Sequence, residues 1–196
     1  MGVFNTDHRI EVIHKQNTGH GPSILLGYQK AVQTAEWVFQ CDSDDEMKAD
    51  CFPGLWEKRK RYHALFGIRK DRSQTLSRKF ITICSRMITR LLYGPGIVDV
   101  NTPFRLIRST ILKQIVFQIP EDTFAPNIII SGALSKMRAK IYEHQVPHEN
   151  RKTGKASLLK LKLWRLTMKA FWQTLTYRPV VAFIYEQTND TYRINP

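Results

Sequence analysis

Residues 36–46 read Glu36-Trp-Val-Phe-Gln-Cys-Asp-Ser-Asp-Asp-Glu46, an apolar run that breaks abruptly into three aspartates and a glutamate. Glu36 to Cys41 has the apolar, aromatic character of a short strand. Asp42 and Asp44 then stand at i and i+2 just past its carboxyl end. In open α/β sheets, ligands bind in the crevice outside that edge. Paired carboxylates there suit a hard divalent cation, Mg²⁺ or Mn²⁺, that also takes phosphate oxygens. A solvated acidic turn capping the following helix is the competing reading, and a bare Asp-x-Asp triplet does not choose between them.

Working outward, Arg9-Ile-Glu-Val-Ile-His14 alternates like a strand, and the loop Asn17-Thr-Gly-His-Gly-Pro22 opens a helix to about Thr34. Asp50 is placed to cap a helix through about Arg61, and Ala64 to Ile68 is the next strand. Strand, helix, strand, helix, strand is the pattern of a parallel sheet covered by helices. Phe80, Ile83, Cys84, Met87, Ile88 and Leu91 recur at three and four, predicting one buried face of a helix over 73–92, which Gly94-Pro-Gly96 stops. Beyond it, Ile97–Val100 and Phe104–Ile107 bracket an Asn-Thr-Pro turn; helices follow near 109–118 and 123–137, and Ala139 to Val146 is a last strand.

The 196 residues carry 30 Lys+Arg against 17 Asp+Glu, a formal charge of +13, so the partner is expected to be anionic: nucleic acid, a membrane surface or a phosphorylated substrate. Cys41, Cys51 and Cys84 are odd in number and have no CxxC spacing, which argues against a disulfide framework or a zinc site and fits a reducing compartment. No cleavable leader is indicated at the start. The most apolar stretch, 156–177, contains Lys160, Lys162, Arg165 and Lys169, too many charges for a bilayer span.

Five motifs recur in a telling order: Asn17-Thr-Gly-His-Gly21, Gln40-Cys-Asp-Ser-Asp-Asp-Glu46, Phe66-Gly-Ile-Arg-Lys-Asp-Arg72, the segment 98–108 (VDVNTPFRLIR) and the segment 148–157 (HENRKTGKAS). Together they resemble family 2 glycosyltransferases of the GT-A fold, most nearly the dolichol- and polyprenyl-phosphate sugar transferases. The resemblance implies an α/β fold, a Rossmann-like mixed sheet flanked by helices, acting on a nucleotide-sugar donor. It makes Asp42 and Asp44 the pair that holds the metal and the donor's diphosphate. Glu46 stands where relatives often have a Gln near that metal, a change that keeps an oxygen ligand and adds charge. Asn17 and Gly19 match a loop of the nucleotide pocket, and Arg69, Arg72 and Arg78 match basic positions around the active site. Asp99 would lie beside the acceptor and the transferred sugar, with Arg105 positioning it. Arg151 and Ser157 match residues that close over diphosphate or acceptor phosphate.

Read without the resemblance, Asp99 caps a turn and pairs with Arg105, the other arginines are surface cations, and Ser157 is an N-cap. The acceptor decides the acid–base chemistry. A lipid phosphate oxygen is already anionic, whereas a sugar hydroxyl must give its proton to a carboxylate, for which Asp99, Glu121 and Asp122 are the candidates.

Residues 1–155 are thus expected to form a partial GT-A domain, and 156–196 an amphipathic helix and tail. Leu161, Trp164, Met168, Trp172 and Leu175 share one helical face, with Lys162, Arg165 and Lys169 across from it. Such a helix either lies on the inner, cytoplasmic face of a membrane or packs on the catalytic domain. The family's leading PxYNE-like strand and second acidic motif have no counterpart. The chain is therefore expected to start near the third strand of the nucleotide-binding half, an N-terminally truncated form that holds the nucleotide weakly. The rival reading is a non-catalytic basic protein that binds nucleic acid or an anionic membrane. Composition allows it, but no RNP-like, KH or zinc-finger pattern supports it.

Overall fold

The computed structural model describes residues 7–44, 46–70 and 97–147, with Ile83, Met87, 168–169, 172–176 and Val180. Helix α1 (His20–Thr34) leads into strand β1 (Trp37–Gln40). A 3₁₀ turn (Ala49–Cys51), the short helix α2 (Phe52–Lys58) and a second 3₁₀ turn (Arg59–Arg61) precede β2 (Ala64–Lys70). Strand β3 (Arg105–Arg108) runs directly into α3 (Ser109–Val116), and α4 (Pro126–Lys136) leads to β4 (Ile141–Pro147).

The four strands form one mixed sheet in the order β1-β3-β2-β4. Strand β3 is antiparallel to both neighbours, while β2 and β4 are parallel, so β1, β2 and β4 share a direction and β3 alone opposes them. The sheet is thus mixed, as the resemblance implies, and the parallel pattern read from the leading elements holds for β1 and β2 but not for β3. The cause lies in the approach to β3: Gly67 N–H donates to the Phe104 carbonyl at 2.7 Å, and Thr102 Oγ1–H donates to the Gly67 carbonyl at 2.7 Å. The chain therefore enters β3 at the carboxyl end of β2 and must run back.

Alternation along each strand divides the core in two. Val38, Ala64, Phe66 and Ile107 face α1, α3 and α4, where Leu25, Leu112, Ile115 and Ile130 complete the larger cluster. Leu65, Phe104, Leu106 and Val146 face the other way with Met47 and Leu55, against Phe39 and Phe52. Each fully buried Leu, Ile or Phe contributes about 1.5–3 kcal/mol. The closest backbone approach is at Gly21: a Cβ there would stand 2.2 Å from the Phe124 carbonyl oxygen and 2.4 Å from that of Thr123.

Several expectations are revised. Residues 9–14 are not a strand; His8 to His20 are exposed, and among the described residues no strand pairs with this segment to complete a ladder. Glu11 is instead ion-paired with Lys30 on α1. Asp50 lies inside the 3₁₀ turn, and the residue before α2 is Cys51, which makes no side-chain cap. Most of 73–92 lies outside the described residues; Ile83 and Met87 are helical there but exposed, against the buried face predicted for them. Near the C-terminus, 168–169 and 172–176 are helical. Lys169 Nζ donates to Asp122 at 2.9 Å and Phe124 N–H donates to Gln173 at 2.9 Å, so this side meets the domain while Met168 and Trp172 are exposed. The 155/156 division and the rest of the expected amphipathic helix lie outside the described residues.

Candidate functional site at the carboxyl edge of the sheet

Because β1, β2 and β4 point the same way, their carboxyl ends open at one edge, where β3 begins. Register makes this concrete: Arg105 lies opposite Gln40 on β1 and opposite Phe66 on β2. Asp42 leaves the sheet two residues beyond Gln40, Arg69 is near the end of β2, and Asp99 is on the loop before β3.

Asp42 is 28% exposed, and His20 Nε2 on the first turn of α1 stands 3.7 Å from its Oδ1. Burial pushes the Asp42 carboxyl above the usual carboxylate range; His20 pulls the other way, while the neighbouring Asp44 charge adds to the rise. Asp44 Oδ1 accepts the Glu46 N–H at 3.3 Å, an Asx-type turn that holds the acidic loop in shape. Met47, buried among Leu55, Leu65 and Phe104, anchors that loop to the second core. Asn17 and Gly19 form the approach to α1: Gly19 N–H donates to Asn17 Oδ1 at 3.1 Å, and Gly19 takes a φ of 107°, which favours glycine.

Across the edge, Arg69 Nε is 3.9 Å from Asp99 Oδ2, with side chains only 12% and 16% exposed. Asp99 Oδ1 accepts the Asn101 N–H at 3.3 Å, and Glu143 Oε1 accepts Val98 N–H at 2.8 Å, fixing the loop against β4. Arg105 is fully buried. Its Nε donates to the Thr102 carbonyl at 2.9 Å, Nη2 to that of Val100 at 3.2 Å, and Nη1 to that of Asn127 at 3.3 Å, while the guanidinium lies 4.6 Å from the Phe66 ring centroid. Burial holds its pKa below the ordinary arginine value, with Tyr28 and Asp99 opposing that fall. Arg105 thus braces the loop that carries Asp99 from beneath.

Sequence reasoning missed the supports of this site. Tyr28 Oη–H donates to Gln40 Oε1 at 2.6 Å, and Asn127 Nδ2 donates to the same oxygen at 3.0 Å. Thr102 is fully buried and ties Gly67 to the turn before β3. Only His20 left a trace, as the His of Asn-Thr-Gly-His-Gly. At this edge the buried Arg69 Nε makes no hydrogen bond among the described residues and faces Asp99, while the Gln40 side chain opposes the rise in the Asp42 pKa.

Among the described residues no three His, Cys, Asp or Glu side chains converge as a metal cluster. The structure brings together the pair Asp42 and Asp44 with His20, and separately Arg69, Asp99 and Arg105. Glu46 meets Asp44 through its backbone. Arg72, Arg78, Arg151 and Ser157 lie outside the described residues, as does Asp45. Glu121 and Asp122 line a separate cavity of about 410 Å³ with Lys15, Pro22 and Leu26, on the flank of α1 turned away from His20.

The carboxylate pair fits a divalent cation on chemical grounds: two half-buried carboxylates repel, and a hard cation relieves both the repulsion and the cost of burial. The sequence profile described as Glycosyl transferase family 2 matches residues 2–116, more than half of the chain. The four-stranded mixed sheet flanked by helices is consistent with a GT-A-like fold. No curated protein matches the chain.

Proposed function

Because the chain belongs to glycosyl transferase family 2, we propose that its carboxylate edge transfers a sugar from a UDP- or GDP-sugar to a polyprenyl phosphate or saccharide acceptor, metal-dependently and with inversion. The supporting observation is that Asp42 and Asp44 share one sheet edge with the largely buried Arg69 guanidinium, whose Nε faces Asp99 at 3.9 Å and makes no hydrogen bond among the described residues. Carboxylates alone would suit a cation. An added guanidinium suits a cation that arrives with anionic oxygens.

Asp42 and Asp44 would hold Mg²⁺ or Mn²⁺, with Glu46 close by; the ion supplies charge neutralisation for the departing diphosphate. Arg69 adds a fixed cation facing the same charge, held in place by Asp99. The acceptor oxygen forms a bond to the anomeric carbon as the bond from that carbon to the diphosphate oxygen breaks, and the electron pair leaves on the nucleoside diphosphate. A single displacement inverts the configuration. A lipid phosphate needs no base; a hydroxyl acceptor loses its proton to a carboxylate, with Asp99 on the loop braced by Arg105 as the candidate. Asn17 and Gly19 would shape the nucleotide side, and Arg72, Arg151 and Ser157, outside the described residues, are assigned to the phosphates by the resemblance alone. The proposed place of action is the cytoplasmic face of a membrane, where a polyprenyl phosphate acceptor would be held.

Calorimetric titration of UDP- and GDP-sugars with and without Mn²⁺ tests this. Binding should require Mn²⁺ and weaken at least tenfold in Asp44→Ala. Metal-independent binding that Asp44→Ala leaves intact would sink the proposal.

A further inference from the structure

The opposite end of the sheet carries a different charge pattern. The run Lys58-Arg-Lys-Arg61 passes directly into β2, and Lys136, Arg138 and Lys140 lie on the approach to β4. Parallel pairing sets Ala64 opposite Ile141, which brings the two segments side by side. Two hydrogen bonds fasten them: His63 N–H donates to the Lys140 carbonyl at 2.8 Å, and Lys140 N–H donates to His63 Nδ1 at 2.9 Å. Lys58, Lys60, Arg61, Arg138 and Lys140 are all exposed. Glu57 is the one carboxylate in 56–63, and 136–142 has none. Seven residues of β4 at about 3.3 Å each put this end roughly 20 Å from the carboxyl edge, beyond two Debye lengths of about 8 Å, so Asp42 and Asp44 do not neutralise it.

Aromatic rings lie beneath these cations. The Arg59 guanidinium sits 3.7 Å from the Trp56 ring centroid, Lys58 Nζ 5.1 Å from that of Tyr142 and Lys140 Nζ 5.9 Å from that of Tyr62. Tyr142 also packs against Tyr62, at 5.1 Å between centroids. A reader of single-stranded nucleic acid keeps such faces open for bases. Here they carry the protein's own cations. What faces outward is a dense set of ammonium and guanidinium heads on flexible stems over Trp and Tyr, the residue types that meet anionic headgroups at a membrane–water boundary.

We propose that this amino end of the β2–β4 pair is a docking surface for an anionic lipid bilayer. Each Lys or Arg brought near an anionic leaflet strengthens binding about fivefold, so the run 58–61 with Lys140 suffices for reversible attachment. Docking there leaves the Asp42 edge open. The inference stands whether or not that edge transfers sugar.

The test is co-sedimentation of the full chain with phosphatidylcholine vesicles, with and without phosphatidylglycerol. Binding should need phosphatidylglycerol. It should fall at least tenfold when Lys58, Lys60, Arg61 and Lys140 are all changed to Glu, and again when all four are changed to Gln, with far-UV circular dichroism unchanged in the Gln variant. Reversing Arg9, Lys15, Lys30 and Lys113 to Glu alters net charge equally and should leave most binding in place. Equal loss in that control would overturn the proposal, because net charge alone would then account for attachment. Retention by the Gln variant would overturn it too, as would patch-dependent binding to poly(U) without binding to vesicles.

Discussion

The two ends of the sheet use the same residue types to opposite effect. At the carboxyl edge Arg105, Arg69, Asp99 and Asp42 are largely buried and set against one another. At the amino end Lys58, Lys60, Arg61 and Lys140 are exposed and of one sign, with Lys58 and Lys140 lying over tyrosine rings. A buried charge must be satisfied by the fold around it, so its removal is read as lost stability. An exposed charge is already hydrated, and its removal is read only in what the protein binds.

Arg105→Leu tests this contrast most severely. Leucine fills much of the space but removes the guanidinium's bonds to the carbonyls of Thr102, Val100 and Asn127, of which Val100 keeps the Ser131 hydroxyl as a donor. A loss of about 3–5 kcal/mol is expected in urea unfolding, whereas Lys60→Leu should stay within about 0.5 kcal/mol. Equal effects from the two substitutions would erase the distinction between the ends.

Glycine substitutions sharpen the same comparison through backbone packing. An alanine Cβ at Gly21 meets the Phe124 and Thr123 carbonyls, which are backbone and cannot turn aside, so about 3 kcal/mol should be lost. At Gly67, in the middle of β2, the added methyl meets Met47 Cε, Phe104 Cδ1 and Val146 Cγ2 at 2.9 Å each; Met47 can turn aside and the buried Phe104 ring and Val146 must move slightly, so about 2 kcal/mol is expected. Thermal unfolding of the two variants should rank Gly21→Ala below Gly67→Ala. The reverse order would mean that α1 rides over 123–124 more loosely than these distances imply.

The sequence made some of this plain and hid the rest for identifiable reasons. Apolar runs and turn residues located α1, β1, β2 and β4, because those signals are local. Residues 9–14 have a strand's alternation but, among the described residues, no neighbouring strand to complete a ladder, and alternation alone cannot reveal that. The reversal of β3 depends on the route through 97–104, where Thr102 reaches Gly67, a contact across 35 positions in the sequence. Asp42 and Asp44 were visible because carboxylates after an apolar run are conspicuous. The burial of Arg105 was not, since arginine is ordinarily a surface residue and its partners here are backbone carbonyls, which carry no sequence signature. Tyr28, Gln40 and Asn127 were missed likewise, as their network joins a helix, a strand and a second helix distant in the chain.

The smallest expected effect is also the one that most directly probes the carboxylate edge. Burial raises the Asp42 pKa in the folded chain above its unfolded value, so the native state holds the proton more tightly. The resulting deficit in stability is absent well below the ordinary carboxylate range, develops as pH rises through the unfolded and then the folded pKa, and is complete above both. Asp42→Asn removes the titration. The variant should be slightly more stable than the parent at neutral pH, and the difference should vanish in acid. Mn²⁺ should close the same gap from the other side, stabilising the parent at neutral pH while leaving Asp42→Asn unmoved, because a ligand that binds only the folded state adds to its stability. Paired urea titrations across pH, with and without Mn²⁺, measure both effects. If Asp42→Asn proves less stable at neutral pH, attraction from His20 outweighs the cost of burial, and the edge is held together by that pair without a cation.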